Sequence, residues 1–91
     1  MSMSERVQGQ PPMYSRQAEK FLLGLDKKPR ERIKSSIEKL PKGDVIPYKE
    51  QDGYFRLRVG SWRILFRWLE GHEQILIALV EGRGQAYKKG V

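Results

Sequence analysis

The 91-residue chain contains no cysteine and a single histidine, His72. The first absence excludes a disulfide framework and any thiolate-ligated metal, and the second leaves too few imidazoles for a zinc site. No apolar run approaches the roughly 20 residues that span a bilayer. The opening stretch Met1-Ser-Met-Ser-Glu-Arg-Val-Gln-Gly-Gln10 also lacks the apolar core of a signal peptide. A cytosolic protein that uses no metal or other cofactor and no membrane is the expectation. Acidic residues are scarce too: 11 Asp and Glu stand against 18 Lys and Arg, giving a net charge of +7. Such a molecule attracts phosphate-rich or acidic partners at long range, although charge alone does not choose among RNA, DNA, an anionic membrane and an acidic protein.

What is present suits one small domain, because a chain of this length buries roughly 60–65% of the surface it exposes when unfolded, enough for one compact core. Residues 1–11 are polar, run into Pro11-Pro12 and have no periodicity that could bury anything, so they are read as a flexible arm. The folded domain then covers 12–91. Ser15 is a plausible N-cap, and Ala18, Phe21, Leu22 and Leu25 recur at helical spacing, predicting a first helix that runs to about 26–28. Pro29 fits the first turn of a second helix whose core face is Ile33, Ile37 and Leu40, stopped by Pro41-Lys42-Gly43. Residues 44–53 hold Pro47 and Asp52-Gly53 and read as an irregular connection.

Strands are predicted at 54–59 and 62–69, joined by a tight turn at Gly60-Ser61, and at 74–80, which is apolar on both faces. A short strand at 12–15 could join an edge. The expected fold is therefore α+β: an N-terminal two-helix hairpin on one face of a small, mainly antiparallel β-sheet, in the order β-α-α-β-β-β. Period-2 alternation sends Phe55, Leu57, Val59, Ile64, Phe66 and Trp68 towards the helices. It sends Tyr54, Arg56, Arg58, Arg63, Leu65 and Arg67 away from them.

That arginine row is the candidate site. If strands 54–59 and 62–69 form a hairpin, Arg56 or Arg58 lies beside Arg63, and opposed side chains in a ladder sit only ~5 Å apart. Like charges so placed repel, so the row is either a solvated sheet face or a surface relieved by an anionic ligand or acidic partner. Arg83 follows the last predicted strand, between Gly82 and Gly84, and Tyr87 stands four residues on, where it could stack on a base or donate to a phosphate. Carboxylates near this set are Glu50 and Glu81. The run Lys27-Lys28-Pro-Arg30-Glu-Arg32 reads as a solvated helix end or, through Lys27, Lys28 and Arg30, as extra phosphate contacts outside any active site.

The ordered strings Phe55-Arg-Leu-Arg-Val-Gly60, Trp62-Arg-Ile-Leu-Phe66 and Gly82-Arg83-Gly-Gln-Ala-Tyr87, behind two tandem helices, resemble the RelE/ParE toxin superfamily of bacterial and archaeal toxin–antitoxin systems. Within it the chain is most similar to RelE-type ribosome-dependent mRNA interferases. The resemblance implies an endoribonuclease that cuts mRNA in the ribosomal A site, inhibits translation and is neutralised by a cognate antitoxin, with operator DNA engaged mainly through that antitoxin. It places catalytic or substrate-binding roles on Arg56, Arg58, Arg63, Arg83 and Tyr87, with attack by the RNA 2′-hydroxyl on the adjacent phosphate. Arginine suits the stabilisation of a crowded phosphorane. It is a poor base, since a neutral guanidine at pH 7 costs at least about 7 kcal/mol against a pKa above 12. Arg56 and Arg58 are thus expected as phosphate clamps, and Glu50 or Glu81 as the candidate general base. The same superfamily leaves two other readings: a ParE-type inhibitor of DNA gyrase, and an inactive nucleic-acid-binding relative.

Overall fold

A computed structural model describes residues 11–69, 71 and 74–82. The described elements are β1 (Met13–Tyr14), α1 (Arg16–Leu23), α2 (Lys27–Glu38), β2 (Val45–Pro47), β3 (Tyr54–Val59), β4 (Trp62–Trp68) and β5 (Ile75–Gly82). The strands make one sheet in the order β1-β5-β4-β3-β2, antiparallel throughout except for the parallel pair β1–β5. With α1 against β5 and α2 against β3, this is the expected α+β arrangement. Residues 1–10 of the expected arm lie outside the described residues.

Helix boundaries follow local chemistry more tightly than the apolar stripe suggested. The Ser15 hydroxyl accepts from the Ala18 N–H at 3.1 Å and caps α1. The helix stops at Leu23, short of the expected 26–28, because Gly24 is a poor helix residue and its N–H turns back to the Lys20 and Phe21 carbonyls. Asp26 then caps α2, three residues before Pro29. Pro29 is tolerated as the third helical residue because N–H groups of a first turn have no intrahelical partner to lose.

One correction concerns residues 44–53, which are not wholly irregular. Val45–Pro47 forms β2 and pairs antiparallel with β3, Val45 opposite Leu57 and Pro47 opposite Phe55. Three residues are too few to show alternation, and a proline argues against a strand unless, as here, the strand is an edge. Similarly, the last strand is displaced from 74–80 to 75–82.

The helix-side core comprises Ala18, Leu22, Ile33, Ile37, Leu40, Leu57, Val59, Ile64, Phe66, Ile75, Ile77 and Val80, with Phe55, Trp62 and Trp68 packed against it. This is the apolar set predicted from alternation in β3 and β4. Phe55 and Phe66 are register partners whose rings stack at 5.6 Å between centroids. Leu65 lies on the opposite side by parity yet is only 7% exposed, since it stands between Arg56 and Leu79 in the ladder.

A bulge in β5 shapes the sheet. Leu65 pairs with Leu79 but its neighbour Phe66 pairs with Ile77, leaving Ala78 as an extra residue. Ile75 and Ile77 therefore face the core before the bulge, and Val80 faces it afterwards. The polar groups freed there are met by the start of α1: the Ser15 hydroxyl donates to the Ala78 carbonyl at 2.7 Å, while the Gln17 amide both donates to and accepts from the Val80 backbone at 2.9 and 3.0 Å. Gln17 thus continues the edge interaction that the two-residue β1 cannot reach.

Two stability effects follow, both measurable by denaturant unfolding. Phe66→Ala is expected to cost about 3–5 kcal/mol, as for other buried aromatic truncations. Ser15→Ala is expected to cost about 1–2 kcal/mol from the lost cap, with the bulge carbonyl adding to it.

Candidate nucleic-acid interface

The hairpin β3–β4 determines where the arginines go. Its register places Arg58 directly opposite Arg63, and β5 places Glu81 on the other side of Arg63, so the row Arg58–Arg63–Glu81 crosses three strands. The next row is Arg56–Leu65–Leu79. Around these residues the surface forms a hollow of about 310 Å³, lined by Arg56, Arg58, Arg63 and Glu81 and closed at the hairpin end by Gly60, Ser61, Trp62 and Gly82. Three of the predicted arginines therefore share one site. Arg83 and Tyr87 lie outside the described residues, though Gly82, immediately before Arg83 in the chain, is part of the lining.

Each arginine stands in a different electrostatic setting. Arg63 donates from Nε to Glu81 Oε2 at 2.7 Å, and its terminal nitrogen bonds the same oxygen. That carboxylate, accepting from the guanidinium, is the main reason the Arg63 pKa is pushed up, outweighing the opposing effect of partial burial. Arg56 donates to Asp44 Oδ1 at 3.2 Å, and its side chain is only 15% exposed. Its Nε is buried without a hydrogen-bond partner among the described residues. Arg58 is exposed, and among the described residues no hydrogen bond or ion pair from its guanidinium to a carboxylate is present. The repulsion expected between Arg58 and Arg63 is thus eased from one side only, by Glu81.

The two candidate bases are placed differently. Glu81 lines the hollow but is committed to Arg63. Glu50, in the turn after β2, accepts from the Tyr48 hydroxyl at 2.8 Å and is exposed. That hydrogen bond raises the Tyr48 pKa above its ordinary value, with desolvation and the Glu50 charge adding to it, and the Arg63 and Glu81 charges also act on Tyr48. Tyr48 and Glu50 are therefore within electrostatic reach of the hollow. Sequence reading missed Tyr48, although its pairing with Tyr54 through the Tyr48 N–H and Tyr54 carbonyl would have followed from recognising β2.

Lys27, Lys28 and Arg30, expected to add phosphate contacts outside any active site, are not among the residues lining the hollow. Lys27 and Lys28 are exposed in the first turn of α2, and Arg30 turns back to the Leu25 carbonyl at 3.3 Å. No three metal-ligating side chains cluster among the described residues, and no described helix is long and apolar enough to cross a membrane.

No family model matches the chain, and no curated protein matches it. Solved structures do. A chain of the RelB–RelE antitoxin–toxin complex from Methanococcus jannaschii is 26% identical, with a TM-score of 0.65 over 85% of this chain and 96% of that one. The archaeal RelE–RelB complex from Pyrococcus horikoshii gives 24% identity and a TM-score of 0.64, covering 84% and 97%. The RelBE2 toxin–antitoxin complex from Mycobacterium tuberculosis gives 20% identity and a TM-score of 0.63, covering 84% and 95%. The two-helix hairpin on a five-stranded mixed sheet, with its arginines gathered on the uncovered face, is a RelE-like toxin fold.

Proposed function

We propose that the chain is the toxin of a type II toxin–antitoxin system and acts as a ribosome-dependent mRNA endoribonuclease. The observation that carries this reading is the convergence of Arg56, Arg58 and Arg63 in one open hollow. The neighbouring structures are complexes of a toxin with its antitoxin, which supports a cognate antitoxin as the first partner. An acidic segment would complement the basic face, and operator DNA would be reached through that partner.

In the proposed reaction the 2′-oxygen of a bent ribonucleotide attacks the adjacent phosphorus and the bond to the 5′-oxygen breaks. The products are a 2′,3′-cyclic phosphate and a 5′-hydroxyl end. Arg58 and Arg63 grip the non-bridging oxygens, where charge accumulates in the transition state. Arg56, held by Asp44, contributes fixed positive potential behind them. Glu81 orients Arg63, which leaves Glu50, hydrogen-bonded by Tyr48, to take the 2′-proton. Tyr87 is assigned to the leaving oxygen or to stacking on a substrate base, and Arg83 to the phosphate. So sparse a set of acids and bases relies on a substrate already held and bent, and the ribosomal A site supplies that constraint. Action on ribosomes in the cytoplasm belongs to the same proposal.

Purified protein added to translating ribosomes is expected to yield cuts within A-site codons; gyrase-dependent DNA breaks instead, or RNA binding without cleavage, would replace this reading. Arg63→Ala and Arg58→Ala are each expected to slow single-turnover cleavage by about 10²–10³-fold, the range for loss of one transition-state donor. Their thermal midpoints should stay near that of the parent. Glu50→Gln is expected to lower the rate by about 10²–10⁴-fold as a general base would. Glu81→Gln is expected to have a smaller effect on rate. The opposite order would transfer the proton-accepting role to Glu81.

A further inference from the structure

Among the exposed cations of α2, Arg32 reaches the hairpin tip at the rim of the hollow. Gly60, at the tip of the β3–β4 hairpin, has a φ of +60° and no side chain. A Cβ built there would lie 3.3 and 3.4 Å from the two terminal nitrogens of Arg32 and 3.5 Å from its central carbon. The Arg32 guanidinium therefore packs directly on the bare backbone of Gly60, and Gly60 is part of the hollow's lining. A Cβ at position 60 would crowd the guanidinium, which would have to give by a few tenths of an ångström. Glycine thus serves two needs: the left-handed turn and the close approach of a helix side chain to a strand end.

Arg32 is exposed, and no ion pair or hydrogen bond with an acid engages it among the described residues. Among the described residues, Arg56, Arg58 and Arg63 line the hollow with Glu81, and Arg32 stands at Gly60 on its rim. The uncompensated pair, Arg32 and Arg58, stands at the hairpin end. Arg32 reaches there from the helical layer, so the positive surface continues around the tip and off the sheet face. A phosphodiester chain whose central phosphate sits on Arg58 and Arg63 would carry its neighbouring phosphate past that tip.

We infer that Arg32 and the Gly60 backbone form a second phosphate subsite, which holds the nucleotide next to the one in the arginine hollow. The inference rests on the proposed RNA-binding role of that hollow. The subsite binds backbone only, because a single exposed guanidinium at a hairpin tip makes charge contact without reading bases. It should affect affinity for single-stranded RNA across sequences alike, and leave the chemical step alone.

The test is the salt dependence of binding to a short single-stranded oligoribonucleotide that carries a 2′-deoxy block at the scissile position, using the full chain. For single strands each phosphate contact contributes about 0.7 to the slope of log K against log salt. Arg32→Ala is expected to reduce that slope by about 0.7 and to weaken binding about equally for unrelated sequences. Arg32→Lys should restore most of the slope, and Lys20→Ala, which removes a charge from α1, should leave it unchanged. A slope unchanged in Arg32→Ala overturns the subsite while leaving the hollow's role intact. A parent protein that binds the oligonucleotide with an Arg32-dependent slope but cuts nothing on ribosomes keeps the subsite and removes the nuclease reading. A parent that binds no RNA overturns both.

Discussion

The structure depends on the lateral register of three strands. Once Leu57 pairs with Ile64 and Ile64 with Val80, the period of two in a strand sends Val59, Phe66 and their neighbours to the helices. The same register sends Arg58, Arg63 and Glu81 to the other side. A slip of one residue would place guanidinium groups in the core and aromatic rings in water, so core burial enforces the geometry of the site. Fold stability and the charge cluster are one constraint seen from two faces of a sheet.

That constraint has an electrostatic cost. Arg58 and Arg63 are brought into direct opposition at ~5 Å spacing, and only one of them receives a carboxylate within the sheet. Glu81 aligns Arg63 and keeps it charged, while Asp44, on the connection into β2, holds Arg56. Each pair has at least one well-exposed partner, Asp44 in one and Arg63 in the other, so solvent screens them and their contribution lies in orientation more than in stability. What remains is a surface with excess positive charge and pre-aimed donors, an arrangement suited to an anion that arrives with several oxygens at once. Arg56, 15% exposed and the register partner of Leu65, shows a side chain used for both packing and potential.

Much of this was legible in the sequence. The apolar stripes of α1 and α2 and the alternation in β3 and β4 are long enough to establish their own periods, and they placed Arg56, Arg58 and Arg63 together on the uncovered face. β2 escaped notice because three residues containing Pro47 carry no period, and with it went the positions of Tyr48 and Asp44. Within the basic run from Lys27 to Arg32, Lys27, Lys28 and Arg30 were the expected phosphate contacts, yet it is Arg32 that reaches the hairpin tip. Density of charge along a chain does not say which side chain a helix turns towards its neighbours. The expected roles of Arg83 and Tyr87 fall on positions outside the described residues.

By itself the sequence determined which residues are apolar, which are cationic and how they alternate, and hence that one face of the hairpin would be a core and the other a row of arginines. Alternation is a property of the backbone and needs no partner to be read. Tertiary structure decided the rest, and the clearest case is Glu81. Counted by twos from Ile75 and Ile77 it belongs to the core side, but the extra residue at Ala78, whose carbonyl is satisfied by Ser15 from α1, reverses the parity of β5. That places the carboxylate beside Arg63. An apolar run on both faces carries no sign of such a reversal, because a bulge arises from how two strands and a helix end share hydrogen bonds across the fold.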